Sequence, residues 1–281
     1  MAKSKRRRKK RRNIKIGRLL LVMSIPVFML YGLFSAVGWV FDLKHEPAQL
    51  PQSEQQQQSL VEAGYQKACS TEDLAKLTRF GIDVSQFQKV IDWQTVKEAQ
   101  VEYAFIRVGA RGYVTGEIYE DETFVANLNG AKSVGMDVGI YFFSQAVTEQ
   151  EVIEEADYVL SKLQGMPLEL PIVYDFELPA DPEARGHNLS NEELILQAQR
   201  FLEHIEQNGY KGMLYANPQL YPIYESAGLT ERWPIWYAEY ETESPQYCDL
   251  DIWQYSDTGE IPGIDDHHVD LNLMRTDFQA Q

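Results

Sequence analysis

The sequence predicts an α/β fold over residues 79–281: a barrel of eight strands with fewer than eight outer helices, preceded by one transmembrane helix. Three observations lead there. Strand-like and helix-like segments alternate through the body, which implies parallel strands with helices packed outside them. Eight strand candidates in about 200 residues suit a closed barrel better than an open sheet. Residues 19–41 are 23 positions without a charge, long enough to span a bilayer as a helix.

The N-terminal part reads as three stretches. Residues 1–18 carry eleven Lys/Arg and no acid. With basic residues before the apolar segment and acids after it, the positive-inside rule puts the N-terminus in the cytoplasm and the body outside. A single-pass signal-anchor in the cell membrane is the favoured expectation. The alternative is a cleaved signal peptide with Ala36 and Gly38 near the cut, giving a secreted body. Residues 42–78 form a linker, where Pro47, Pro51 and the run Gln55–Gln58 show no apolar periodicity.

The body's elements follow in order. Phe80–Val84 is strand-like, Trp93–Gln100 helical, Tyr103–Val108 strand-like and Glu120–Val134 helical. Asp137–Phe143 is a strand, Glu149–Leu163 a helix, and Leu170–Glu177 a strand with Pro171 where a missing N–H is tolerated. Ser190 with Glu193 makes a capping box for a helix over Asn191–Asn208, which ends at Gly209. Lys211–Ala216, Pro234–Ala238, Asp251–Gln254 and His268–Asn272 are further strands. Helices thin out after residue 228.

Charge narrows the function. Beyond residue 18 the chain holds 15 Lys/Arg against 42 Asp/Glu, a net of −27. Nucleic-acid phosphates repel such a body, so no nucleic-acid partner is expected. There is no Gly-x-Ser-x-Gly, no phosphate-cradling glycine loop and no Cys-x-x-Cys. Cys69 and Cys248 either pair, closing a loop of about 180 residues in an oxidising compartment, or stay as two buried thiols. Asp265-Asp266-His267-His268 reads as a solvated loop, since adjacent side chains diverge. No metal and no cofactor are expected.

The chemistry collects at strand ends. Val173, Asp175 and Glu177 leave one face of their strand, so two carboxylates share a site. Like charges that close raise the proton affinity of one member, which lets an acid and a base coexist at neutral pH. Other strand ends carry Asp83; Tyr141 and Phe143; Tyr215 and Asn217; Trp236 and Tyr237; Trp253 and Gln254; and Asp270 with Asn272. Paired carboxylates in an aromatic-lined cleft are what glycoside hydrolysis needs. A lone aromatic is more often core than ligand; their common placement is the signal.

These residues carry a resemblance. Gly81-Ile82-Asp83-Val84-Ser85, Ile91-Asp92-Trp93, Tyr103-Ala104-Phe105-Ile106-Arg107, Gly139-Ile140-Tyr141-Phe142-Phe143, Tyr174-Asp175-Phe176-Glu177, Trp236-Tyr237-Ala238, Trp253-Gln254-Tyr255-Ser256 and Val269-Asp270-Leu271-Asn272 stand in the order found in the glycoside hydrolase family 25 lysozymes. The body resembles those Chalaropsis-type N-acetylmuramidases across nearly its whole length. The resemblance implies a modified TIM-like (β/α) barrel and hydrolysis of the β-1,4 bond between N-acetylmuramic acid and N-acetylglucosamine. It implies Glu177 as general acid, and Asp175 as nucleophile or as the group that orients the substrate's own acetamido group. Asp83 and Asp270 would be the remaining acids. Tyr141, Phe143, Tyr215, Asn217, Trp236, Tyr237, Trp253 and Gln254 would bind peptidoglycan glycan strands. The alternative is an inactive or weakly active glycan-binding module in a cell-wall or secretion assembly; the retained Asp175 and Glu177 argue against it.

Overall fold

The structure is a computed structural model that describes residues 69–266 and 268–279. The expected basic tail, the apolar span and nearly all of the linker lie outside the described residues. Among the described residues no helix is long and apolar enough to cross a membrane.

The chain opens with a one-turn helix, α1 (Thr71–Leu74), whose first turn is capped by the Ser70 hydroxyl accepting from the Asp73 N–H. Then come β1 (Leu77–Val84), a 3₁₀ turn (Gln86–Gln88), α2 (Trp93–Glu98) and β2 (Tyr103–Arg111). A short β3 (Ile118–Glu120) folds back on β2 as a hairpin. α3 (Phe124–Ser133), β4 (Asp137–Ser144), α4 (Glu149–Leu163) and β5 (Ile172–Phe176) follow. α5 (Asn191–Gln207) has the expected capping box of Ser190 and Glu193. Gly209, just past its end, has φ 85°, a conformation that costs glycine little. The rest is β6 (Gly212–Ala216), α6 (Tyr221–Ser226), α7 (Leu229–Arg232), β7 (Ile235–Ala238), β8 (Ile252–Gly259) and β9 (Val269–Arg275).

Eight of the nine strands close into a barrel in the order β1-β2-β4-β5-β6-β7-β8-β9, with β3 outside it on β2. Every neighbouring pair from β1 round to β8 is parallel. β9 breaks the expectation of a parallel sheet: it runs antiparallel to both β8 and β1. A parallel connection needs a crossover of a dozen or more residues, and the short loop 260–268 leaves room only for a hairpin. No helix follows α7 among the described residues, in line with the thinning expected.

Strand alternation splits the core into two layers. Ile172, Tyr174 and Phe176 of β5 face outward and pack with Val152 and Val159 of α4 and Phe201, Leu202 and Ile205 of α5. Burying each such side chain contributes about 1.5–3 kcal/mol. Val173, between them, faces inward with Tyr103, Phe105, Tyr141, Met213, Tyr215, Trp236, Ile252 and Met274. Gly81 lies where a Cβ would run into the Tyr103 ring, so the glycine of the first motif makes room for a barrel-filling aromatic.

Cys69 and Cys248 are joined in a disulfide with Cα atoms 5.1 Å apart across 179 residues of sequence. The bond ties the start of the body to the loop between β7 and β8.

Candidate active site

Because the seven barrel strands other than β9 run parallel, their C-terminal ends share one mouth. β9 enters from the opposite direction, so it is its N-terminal end that reaches the same place. Asp270, its second residue, sits there for this reason, directly opposite Asp83 of β1. Asn272 follows on the same face, opposite Gln254 of β8.

Asp83 is the hub. It is buried, and its Oδ1 accepts hydrogen bonds from Gln254 Nε2 and Asn272 Nδ2, both at 2.8 Å. Each amide is held in turn. Tyr240 and Tyr215 hydroxyls donate to Gln254 Oε1 at 2.7 and 3.1 Å. The Trp236 indole N–H donates to Asn272 Oδ1 at 2.8 Å. With their oxygens engaged, both amides turn N–H groups toward Asp83.

The carboxyls have shifted proton affinities. Burial, the charge of Asp83 and a hydrogen bond to Asp83 push Asp270 up to about 10. Burial raises Asp83 too, but its hydrogen bonds with Asn272, Gln254 and Asp270 oppose the rise. Both carboxyls cannot ionise side by side. The amide donors favour the charged form of Asp83, so Asp270 keeps the proton the two share. Asp175 is pushed well above the ordinary carboxylate range, first by burial, then by Glu177 and Asp83; Arg107 opposes this. Its Oδ1 has no hydrogen-bond partner among the described residues. Glu177 is half-buried and raised, by burial first and by Asp83 second. Gln145, fully buried, donates to the Glu177 carbonyl oxygen at 3.0 Å and fixes the backbone that carries the acid.

The aromatics expected to line the cleft divide. Tyr141 lies inside the barrel in register with Val173, with its ring edge-on to Trp236. Phe143 is in register with Asp175 at the rim and meets Tyr113 edge-on. Tyr215 and Gln254 serve the Asp83 network. Trp236 does not reach the cleft surface: it is 1% exposed, stacked on Phe105 and held by Asn272, a floor beneath the acids. Tyr237 points outward, packed edge-on against Tyr221 and Tyr247. Trp253 likewise sits in the outer layer, its indole N–H donating to the Glu239 carbonyl at 3.0 Å. Alternation is the reason: consecutive residues such as Trp236 and Tyr237 cannot face one side of a sheet. Asn217 Oδ1 accepts from the backbone N–H groups of Gln219 and Leu220, so this amide shapes the turn into α6.

Sequence reasoning gave Tyr240, Gln145 and Tyr113 no part in the site, and placed Asn272 at the strand end beside Asp270 without a role. Asn272 was within reach, two residues after Asp270 on one strand face. The others sit on loops, where no periodicity points inward.

The residues from Ile82 to Ile264 match the family described as Glycosyl hydrolases family 25. The chain belongs to that family. An autolytic lysozyme of Clostridium acetobutylicum is 25% identical over 185 residues, covering 66% of this chain and 52% of its own length. Lysozyme M1 of Streptomyces globisporus is 27% identical over 195 residues, covering 66% of this chain and 64% of its own. This family 25 chain therefore spans about half the length of the first relative and under two thirds of the second. Among solved structures, the spore cortex lytic enzyme SleM of Clostridium perfringens superposes with a TM-score of 0.60 at 23% identity, over 70% of this chain and 67% of that one. At that identity the likeness shows the barrel fold. The family 25 match ends before β9, so Asp270 and Asn272 join the site through the fold.

Proposed function

We propose that this family 25 glycoside hydrolase is a muramidase of the Chalaropsis type. It cleaves the β-1,4 bond between N-acetylmuramic acid and N-acetylglucosamine in peptidoglycan. The observation that carries this reading is the pairing of a buried Asp175 near the end of β5 with a raised, half-buried Glu177 just beyond that end. Two lysozymes among the relatives support the substrate.

Glu177 donates its proton to the glycosidic oxygen as the bond to the anomeric carbon breaks. Its raised proton affinity keeps it loaded to higher pH than a free glutamate. Asp175 stands two residues before it at the end of β5, on the same side of the cleft, so the opposite face of the sugar is open to the substrate's own 2-acetamido oxygen. Asp175 Oδ1, without a hydrogen-bond partner among the described residues, accepts the acetamido N–H and orients that group toward the anomeric carbon. The acetamido oxygen closes on the anomeric carbon, and a water deprotonated by Glu177 then reopens the ring. Asp83, with Gln254, Asn272 and Asp270, supplies a fixed negative charge beneath the sugar.

Residues 19–41 act as an uncleaved signal-anchor, with residues 1–18 cytoplasmic and the catalytic domain 79–281 outside, on linker 42–78. The asymmetry of basic and acidic residues supports this orientation. So does the Cys69–Cys248 bond, which belongs to an oxidising compartment.

The test is digestion of purified peptidoglycan by the full chain in detergent, with products read by mass spectrometry. New reducing ends on muramic acid are the expected result. Glu177→Gln lowers the rate by about 10²–10⁴-fold with little change in KM. Absence of cleavage by the wild type at every pH and salt concentration refutes the reading.

A further inference from the structure

Next to the catalytic mouth lies a cavity of about 460 Å³, between the β2–β3 hairpin and the turn after β1. Its walls are aromatic. Phe87 is 63% exposed, Tyr119 48% and Tyr113 43%, and Phe143 closes the end nearest Asp175. Gly109, Ala110 and Gly112 also line the cavity, and a Cβ at Gly112 would crowd the Tyr119 ring. Three large apolar side chains exposed this far on one groove need an explanation that the core does not supply.

The groove is rigid. Arg111, 4% exposed, donates to Glu155 Oε1 at 2.7 Å, to the Gly116 carbonyl at 2.6 Å and to the Glu151 carbonyl at 2.9 Å. It clamps the hairpin turn to α4. The Arg185 N–H holds the Tyr113 carbonyl at 2.9 Å, and the Arg185 guanidinium pairs with Glu151. Phe87 lies under the Arg107 guanidinium at 5.0 Å. Platforms held this way lose little freedom when a ligand settles on them.

Its charges are also spoken for. Arg107 pairs with Asp121 at 2.9 Å, Glu120 with Lys162 at 2.7 Å, and Arg111 with Glu155. The groove offers apolar faces and no free charge, which suits a neutral pyranose ring and not the carboxylates of a peptide stem.

We propose that Phe87, Tyr113, Tyr119 and Phe143 form a saccharide subsite outside the catalytic mouth, which takes an N-acetylated pyranose further along the strand being cut. The inference rests on the muramidase reading for the polymer. Continuity of the groove with the mouth through Phe143 and Tyr113 makes the same strand its occupant. The subsite makes the enzyme favour long glycan strands over short fragments.

The experiment compares peptide-free glycan oligomers of alternating N-acetylglucosamine and N-acetylmuramic acid, a tetrasaccharide and an octasaccharide, on the full chain. Hydrolysis gives kcat and KM for each, and calorimetry on the Glu177→Gln protein gives their affinities. The wild type is expected to prefer the octasaccharide. Tyr119→Ala and Phe87→Ala each cut that preference about tenfold, through KM, and Tyr119→Phe, which keeps the ring, retains it. A preference undiminished in both alanine variants, or no preference in the wild type, overturns the subsite. A wild type that hydrolyses neither oligomer refutes the muramidase reading; the calorimetric comparison, made with the same three substitutions added to Glu177→Gln, then decides the subsite by itself.

Discussion

Asp270 and Asp83 face each other across the antiparallel β1–β9 pair and share one proton, with Asp270 held up to about 10. The arrangement gives the site one negative charge where two carboxyls stand. Asp83 gains a third donor beside the two amides. Asp270→Ala removes that donor, and kcat/KM is expected to fall about ten- to hundredfold, the worth of a hydrogen bond to a charged group. Asp270→Asn keeps an N–H donor and is expected to lose less. Carbon-13 NMR of labelled aspartates checks the protonation: the carboxyl carbon of Asp270, identified by its absence in Asp270→Asn, stays in its protonated position from pH 7 to 9. An ordinary titration of every aspartate carbon would contradict the shared proton.

Trp236 acts on the reaction from below, through Asn272. Trp236→Phe keeps a ring against Phe105 and removes the donor that orients the Asn272 amide. A buried acceptor left unmatched costs about 1–3 kcal/mol. The expected signature is a lower unfolding midpoint in urea together with a fall in kcat at nearly constant KM. A KM effect alone would instead put Trp236 against the sugar.

Glu155 makes stability depend on pH. Its carboxyl accepts from Ser144 at 2.6 Å and from Arg111, yet burial outweighs both and lifts it from 4.5 to about 7. Between these values the folded protein keeps a proton that the unfolded chain has released. The stabilisation is complete below pH 4.5 and is lost as pH rises through 7, amounting to roughly 3–4 kcal/mol. Asp270 shifts in the same direction. The melting temperature is therefore expected to be higher at pH 5 than at pH 8, with a shallower slope in Glu155→Gln. A melting temperature that climbs toward pH 8 would contradict the burial effect.

The Cys69–Cys248 bond closes most of the body into one loop. Restricting the unfolded chain over that distance is worth about 2–4 kcal/mol. Reduction, or Cys69→Ser with Cys248→Ser, is expected to lower the unfolding midpoint by that amount with activity kept below the new midpoint. Equal midpoints with and without reductant would remove the bond from the account.

Much of this was legible in the residues. The barrel strands before β9, the long helices and the Ser190–Glu193 cap follow from periodicity and capping, which are local properties. β3 does not: Glu120, expected to begin a helix, ends that strand instead. The pair Asp175 and Glu177 follows from alternation along one strand. The same rule, applied to Trp236-Tyr237 and Trp253-Gln254, shows that one member of each pair must face away from the cleft. Sequence could not say which member, because both neighbours are apolar or amphipathic and the barrel is packed on both faces.

The sequence by itself determined the alternation of strands and helices, the acidic character of the body and the two carboxylates at the end of β5. Only the tertiary structure decided that β9 runs backwards, so that Asp270 meets Asp83 and Asn272 meets Gln254. Strand direction is set by the connection and by closure of the barrel, and neither leaves a mark on the residues of β9 itself. The tertiary structure also turned Trp236 from a binding surface into a floor, since burial depends on what the other seven strands place above it.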